Sequence, residues 1–426
     1  MKTKILTFLG SLISIIATGQ TFNGQLGYGV SPLGHSADFS QFGSVLTEVS
    51  TLCNGNGVVF VNANWRDNIN TSGTIPTVHS TVSQLQPSPY NYIDMLAFPF
   101  AEYPTLFLNT TSDPTNNWTN SDMKQLFTQM LKHTADSLQP NYIFIGNEVN
   151  FYWEQDSIDY MNFVNFYHQA YDSIKLYSPN TKVGTIFNYE HLSGKGTNVG
   201  WSTPYWNALN SIDTSKIDVF GLTVYPFFEY NQASSVPSSY LHDFFQLVNN
   251  KEVYLTETGW PADSFIGTWT CSPAQQEVYI DTLANIVSNG NVIGMNWLYL
   301  HYLMDPMIND GIKIFNSVSL RDSMGVDRPA LSKWVTLCST TSISDNLIND
   351  LDFNIYPNPA NHTILIETEH HFKLEIYNSI GEIISSSSNY KTNFEISVLN
   401  FQNGIYFVKI YNENGNSTVK KLIINH

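Results

Sequence analysis

Asn141-Tyr142-Ile143-Phe144-Ile145-Gly146-Asn147-Glu148 is a short, β-rich apolar run that stops on a carboxylate, with Phe151, Tyr152 and Trp153 just beyond it. Glu252-Val253-Tyr254-Leu255-Thr256-Glu257 is built the same way and leads into Trp260-Pro261. An acidic residue at the C-terminal end of a buried parallel strand packs poorly. In a β/α barrel, however, that end of the sheet carries the active site. Roughly 110 residues separate the two glutamates, about three βα units of thirty-odd residues each. They would then close the fourth and seventh strands of an eight-stranded barrel.

The rest of the chain fits that frame. Apolar runs at 25–30, 58–63, 105–109, 142–148, 182–187, 219–225, 253–257 and 292–299 make eight candidate strands. Helical patterns occupy 122–138, 157–177, 240–249, 273–288 and 329–337, with Ser121 and Ser272 as expected N-caps and Pro273 at the first helical position. Strands alternating with helices imply a parallel sheet, and eight of them imply an α/β fold closed into a (β/α)8 TIM barrel. The Pro-rich stretch 72–104 reads as loop rather than helix.

The ends of the chain read differently. Lys2 and Lys4, an apolar stretch over 5–16 and the small-residue site Ala17-Thr18-Gly19 have the form of a secretory signal peptide over 1–19. Residues 339–351 are rich in Ser, Thr, Asn and Asp and read as a linker. Beyond them, 352–426 carries seven short alternating strands separated by Pro, Gly and Asn turns, the pattern of a small all-β, Ig-like sandwich.

Net charge is −17, yet only 13% of residues are charged, and the chain holds 24 Tyr, 26 Phe and 9 Trp. Such a surface argues against nucleic acid and anionic membranes and suits neutral sugars, whose apolar faces stack on aromatic rings. Beyond the signal, no stretch is long and apolar enough for membrane insertion. Cys53, Cys271 and Cys338 lack metal-ligand spacing and allow at most one disulfide; they read as structural thiols. The histidines have no paired spacing, and no metal or cofactor motif is present.

Two resemblances follow from particular residues. Ile355-Tyr356-Pro357-Asn358-Pro359-Ala360, Leu374-Glu375-Ile376-Tyr377-Asn378-Ser379-Ile380-Gly381, Asn403-Gly404-Ile405-Tyr406-Phe407-Val408-Lys409-Ile410 and Lys420-Lys421-Leu422-Ile423 together resemble the C-terminal sorting domain of the type IX secretion system. That implies the type IX machinery as a partner, a secreted or outer-membrane surface-attached product, and a tail that is usually removed. Asn147-Glu148, Thr256-Glu257-Thr258-Gly259-Trp260-Pro261, Gly221-Leu222-Thr223-Val224-Tyr225-Pro226-Phe227 and Asn296-Trp297, in that barrel setting, resemble clan A retaining glycoside hydrolases, families 17 and 53 among them. The resemblance spans about residues 22–338 through these local motifs, within an expected catalytic domain of 20–338.

It implies hydrolysis of β-linked polysaccharide or oligosaccharide by a pair of carboxylates, Glu148 as acid/base and Glu257 as nucleophile. Retention needs the two about 5–5.5 Å apart, with no room for an intervening water. The pKa of Glu148 would be raised by burial and by the neighbouring charge of Glu257. Asn147 would bind the sugar 2-hydroxyl, Tyr225 would hold Glu257, Trp297 would floor the sugar site, and Arg66 would support the nucleophile. Trp260 and Trp153 offer further stacking faces. His191, His301 and Asp305 fall on top-face loops and read as solvated. Aromatics on both sides of the site point to endo action, and the shortage of Lys and Arg points to a neutral polymer. The competing reading is a non-catalytic carbohydrate-binding or adhesive surface protein on a degenerate barrel; a binding protein has no physical need for two like-charged buried groups.

Overall fold

The computed structural model describes residues 24–29, 58–64, 93–97, 117–263, 271–302, 313–340, 353–368, 372–378, 383–390, 393–411 and 417–426, together with 22, 45, 48, 49 and 52. The expected signal peptide, Arg66, Asp305 and most of the expected linker lie outside them. The chain divides into two units, Met1–Ser342 and Ile343–His426.

In the first unit eight parallel strands close a barrel in chain order: β1 (Gln25–Gly29), β2 (Val58–Asn64), β3 (Ile93–Ala97), β4 (Tyr142–Ile145), β5 (Lys182–Asn188), β6 (Val219–Val224), β7 (Glu252–Thr258) and β8 (Val292–Trp297). Pairing of Tyr28 with Trp297 and of Gly27 with Asn296 joins β8 back to β1. One strand differs from expectation. The third is Ile93–Ala97, inside the stretch read as loop, and 105–109 is outside the described residues. Pro87, Pro89, Pro99 and Pro104 crowd this five-residue strand on both sides, so the turn signal masked it.

The barrel interior is aromatic. Tyr142 and Phe144 of β4 meet Tyr254 of β7 edge-on, at ring centroid distances of 5.4 and 6.3 Å, with Ile186 and Val219 beside them. Rings this large need glycine opposite. A Cβ on Gly294 would lie 2.1 Å from the Tyr254 ring, and one on Gly221 would lie 2.5 Å from Ile186 Cγ1.

Around the barrel, helix α1 (Ser121–Leu138) buries Met123, Phe127, Met130, Leu131, Ala135 and Leu138, a 3.6-period stripe. Each large side chain so buried contributes about 1.5–3 kcal/mol. Its N-cap is Asn120, whose side chain accepts from the Met123 N–H, so the expected Ser121 cap is off by one residue. Helix α2 (Asn150–Gln155) follows β4, and α3 (Ser157–Tyr177) packs on α1. Ser272 does cap Pro273–Val287, and the last helix of this unit, Pro329–Thr340, runs three residues beyond the expected 337.

The second unit is two antiparallel sheets, ordered β13-β10-β9 and β12-β11-β14-β15: β9 (Phe353–Tyr356), β10 (Thr363–Thr368), β11 (Phe372–Asn378), β12 (Ile383–Tyr390), β13 (Asn393–Ser397), β14 (Gly404–Tyr411) and β15 (Ser417–Ile424). Alternate residues of both sheets (Ile364, Ile366, Leu374, Ile376, Val408, Ile410, Leu422) form its buried core, as a sandwich requires.

Candidate active site

The site is set by which residues of each strand face inward. Tyr142 and Phe144 point into the barrel, so Gly146 and Glu148 continue that face at the strand's end. The chain leaves β4 at Ile145 and turns sharply, with φ +86° at Gly146 and +53° at Glu148. The left-handed region is uncommon for glutamate and is held here by hydrogen bonds to β5, from Ile186 N–H to Gly146 O (3.2 Å) and from Val149 N–H to Ile186 O (3.0 Å).

Glu257 needs a different device. Tyr254 faces inward, so strict alternation would put Thr256 inside and turn Glu257 toward the helices. The β6–β7 register passes from Leu222↔Leu255 to Thr223↔Glu257, skipping Thr256. This bulge brings Glu257 onto the inner face with Thr223. Thr258 then faces outward, donating to Val224 O and meeting the Tyr279 hydroxyl at 2.7 Å.

Both residues are half-buried at strand ends, close enough for the Glu148 charge to act on Glu257. Glu148 Oε1 accepts from Asn188 Nδ2 (2.9 Å) and Thr223 Oγ1 (2.6 Å), and Glu257 Oε2 accepts from the Tyr225 hydroxyl (2.9 Å). Neither second oxygen has a hydrogen bond among the described residues. Burial is the first cause that raises both pKa values; for Glu257 the Glu148 charge adds to it, to about 8, against the Tyr225 hydrogen bond. Two such neighbouring carboxyls resist ionising together. The buried Tyr225 phenol, itself pushed well above its ordinary pKa by burial first, is a donor at all working pH values.

The remaining sequence-derived positions are divided. Asn147 is half-buried beside Glu148. Trp153 is half-buried on α2, edge-on to Tyr160 at 5.3 Å. Trp297 does not floor the pocket. A second register slip, between Val253↔Val292 and Tyr254↔Gly294, sets Asn296 inward and pairs Trp297 with outward Thr258. Its ring is fully buried against Tyr279 and Trp334, and its Nε1 donates to Val318 O (2.7 Å). Trp260 is likewise fully buried, between Phe227 and Tyr279, and offers no open face. Tyr299, two residues past the end of β8, lies near Glu257 as Tyr225 does: its phenol pKa is raised by burial first and then by the Glu257 charge.

His191 and His301 are buried and partnered rather than solvated. His301 Nε2 lies 2.8 Å from Glu48 Oε2, in a cluster completed by Arg321. Cys271 is buried, its thiol pushed up to about 11 by burial and then by the Asp263 charge. Sequence reading passed over Asn188, Thr223, Tyr299 and the fully buried Glu190. Asn188 alone carried a signal, as a polar residue at a strand end like Glu148.

A closed parallel barrel with two interacting strand-end glutamates is the arrangement found in glycoside hydrolases. Residues 110–301 match the model of glycosyl hydrolase family 53, a span that contains both glutamates, and residues 354–425 match that of the secretion system C-terminal sorting domain. The first unit thus carries a glycosyl hydrolase family 53 match over 110–301, and the second matches a sorting domain over nearly its whole length. No curated protein matches the chain. Similar solved structures include the exo-beta-1,4-mannosidase of Opitutaceae bacterium strain TAV5 (14% identity, TM-score 0.55, 76% of this chain and 62% of that one). GH5_18 from Bifidobacterium longum subsp. longum ATCC 55813 is similar at 15% identity and TM-score 0.53, over 75% and 79%. At these identities the likeness is one of fold. Bacteroides uniformis beta-glucuronidase 2 aligns at 10% identity and TM-score 0.49 over 94% of this chain, which spans 46% of that protein's length.

Proposed function

We propose that the chain is a secreted, retaining, endo-acting β-glycosidase of neutral polysaccharide, with β-1,4-galactan the first substrate to test, given the family 53 match. The observation that carries the reading is the pair itself: Glu148 and Glu257, from opposite sides of the barrel, with the Glu148 charge raising the cost of ionising Glu257 and a phenol donating to Glu257.

In the first step a Glu257 oxygen attacks the anomeric carbon, the glycosidic C–O bond breaks, and a proton passes from Glu148 to the leaving oxygen. Both donors to Glu148 sit on Oε1, which leaves Oε2 to carry that proton. Thr223 can also turn its hydroxyl and accept, so Glu148 is served in either state. With Glu257 esterified and uncharged, Glu148 takes a proton from water, and the hydroxide equivalent releases the sugar with net retention. Asn147, beside Glu148, is assigned to the sugar 2-hydroxyl.

Half-buried aromatics Trp153 on α2, Trp201 on the segment after β5 and Phe315 on a short helix after β8 follow three different strands and suit a polymer passing through. The sorting domain supports passage through the type IX machinery, with the signal peptide at 1–19, the catalytic domain at 20–338, the linker at 339–351 and the tail at 352–426 as the proposed segments. The test is product analysis on galactan, β-1,3-glucan, mannan, xylan and pectate side by side, with NMR of the first-formed anomer. Binding without reducing-end release on every polymer would leave an adhesive barrel instead, and an inverted first product would remove the retaining mechanism.

A further inference from the structure

Glu148 and Glu257 stand on different strands, yet the hydrogen bonds that hold them lead back to one five-residue helix, α4 (Tyr189–Ser193), which follows β5 directly. Asn188 is its N-cap. Asn188 Oδ1 accepts the His191 N–H (3.0 Å), which fixes the amide and aims Nδ2 at Glu148 Oε1. The Asn188 backbone is clamped in turn by Asn150, whose Oδ1 accepts the Asn188 N–H (2.8 Å) while its Nδ2 donates to Asn188 O (3.2 Å). That same Nδ2 lies 2.7 Å from His191 Nδ1.

An amide nitrogen only donates, so Nδ1 carries the lone pair and Nε2 carries the hydrogen. Nε2 then donates to Glu154 Oε2 (3.1 Å), and Glu154 Oε1 is held by the Tyr205 hydroxyl (2.6 Å). The imidazole sits between Phe151 and Tyr205, at centroid distances of 3.9 and 4.6 Å, with 1% of its surface exposed. Its orientation and tautomer are therefore set by the fold.

The neighbouring residue serves the other carboxylate. Glu190 is fully buried, and its Oε1 accepts the Tyr225 N–H (2.9 Å) and the Tyr240 hydroxyl (3.0 Å). Tyr225 is the residue whose hydroxyl donates to Glu257 Oε2. Burial pushes the Glu190 pKa up to about 8, so at neutral pH the group acts as an uncharged acceptor.

We infer that Glu190 and His191 are positioning residues, one for each catalytic carboxylate. His191 holds Glu148 through Asn150 and Asn188, and Glu190 holds Glu257 through Tyr225. The inference rests on the roles proposed above for that pair.

The experiment measures kcat/KM of full-length variants on polysaccharide and on aryl glycosides of graded leaving-group acidity, with folded fraction followed by thermal melting. His191→Ala loosens the proton donor, so its loss grows as the leaving group worsens: about tenfold or more on polysaccharide, and within about threefold on a dinitrophenyl glycoside. Glu190→Leu removes the acceptor behind Tyr225 and lowers kcat/KM by about tenfold on every substrate alike. Glu190→Gln, an uncharged acceptor of the same shape, stays within about threefold of the parent. If His191→Ala does not fold, His191→Gln is read on the same series. Equal, leaving-group-independent losses in the His191 and Glu190→Leu variants, or unchanged kcat/KM in both, would overturn the assignment and make α4 packing alone. Activity surviving in Glu257→Gln or Glu148→Ala on polysaccharide would instead remove the underlying roles.

Discussion

Tyr225→Phe isolates one atom of this site. The substitution deletes the hydroxyl 2.9 Å from Glu257 Oε2 and leaves the ring among Phe227, Phe228 and Phe315, whose centroids lie 5.6, 6.2 and 5.2 Å away. Packing is unchanged, so the folded state persists. A hydrogen bond to a charged group contributes about 1.5–3 kcal/mol. If Glu257 reacts as the anion, losing the phenol raises its pKa and leaves a less well oriented nucleophile. At about 1.36 kcal/mol per decade, that corresponds to a loss of roughly 10- to 150-fold in kcat/KM. The donor favours the ionised form, so its removal also moves the acid limb of the pH–rate profile toward higher pH. The assay is kcat/KM against pH on an aryl glycoside for parent and variant, with a thermal melt of each. A variant within threefold of the parent, with an unmoved acid limb, would refute the reasoning and return Tyr225 to the core.

Glu257→Gln is expected to abolish turnover with the fold intact. Glu148→Ala should lose natural substrates yet keep the first step on activated aryl glycosides and regain turnover with azide; equal loss on both substrate types would reverse or void the roles. The pair needs one proton to act, and that last proton leaves near the value of about 8 that burial and then the Glu148 charge give Glu257. The parent's kcat/KM should therefore fall on the alkaline side around that pH, and a flat profile through pH 9 would contradict the need for that proton. Removal of residues 352–426 should leave an active barrel in vitro and block outward passage in a type IX host; a barrel that melts on truncation would make the tail integral to it.

Much of the fold could be read from the chain because its signals are local. Seven of the eight barrel strands and all seven strands of the tail follow from apolar runs bounded by turn residues, and Ser272-Pro273 marks a helix start by capping chemistry alone. The short β3, hemmed in by prolines, was lost to the same logic. The two glutamates stood out because a carboxylate ending an apolar strand has no packing reason to be there.

What the chain could not reveal is which way side chains face once a register slips. Skipping Thr256 turns Glu257 inward, and the slip across Val292 to Gly294 turns Trp297 out to the helices, so a motif that resembles a sugar platform becomes helix packing. A one-residue bulge leaves no mark in periodicity, because it is decided by pairing with a neighbouring strand tens of residues away. The supporting residues were hidden for the same reason. Asn188, Glu190 and His191 read as a loop after a strand, and only burial beside Asn150, Thr223 and Tyr225 gives each a partner. Sequence supplied the strands and the acids; tertiary pairing decided which faces and which hydrogen bonds make them a site.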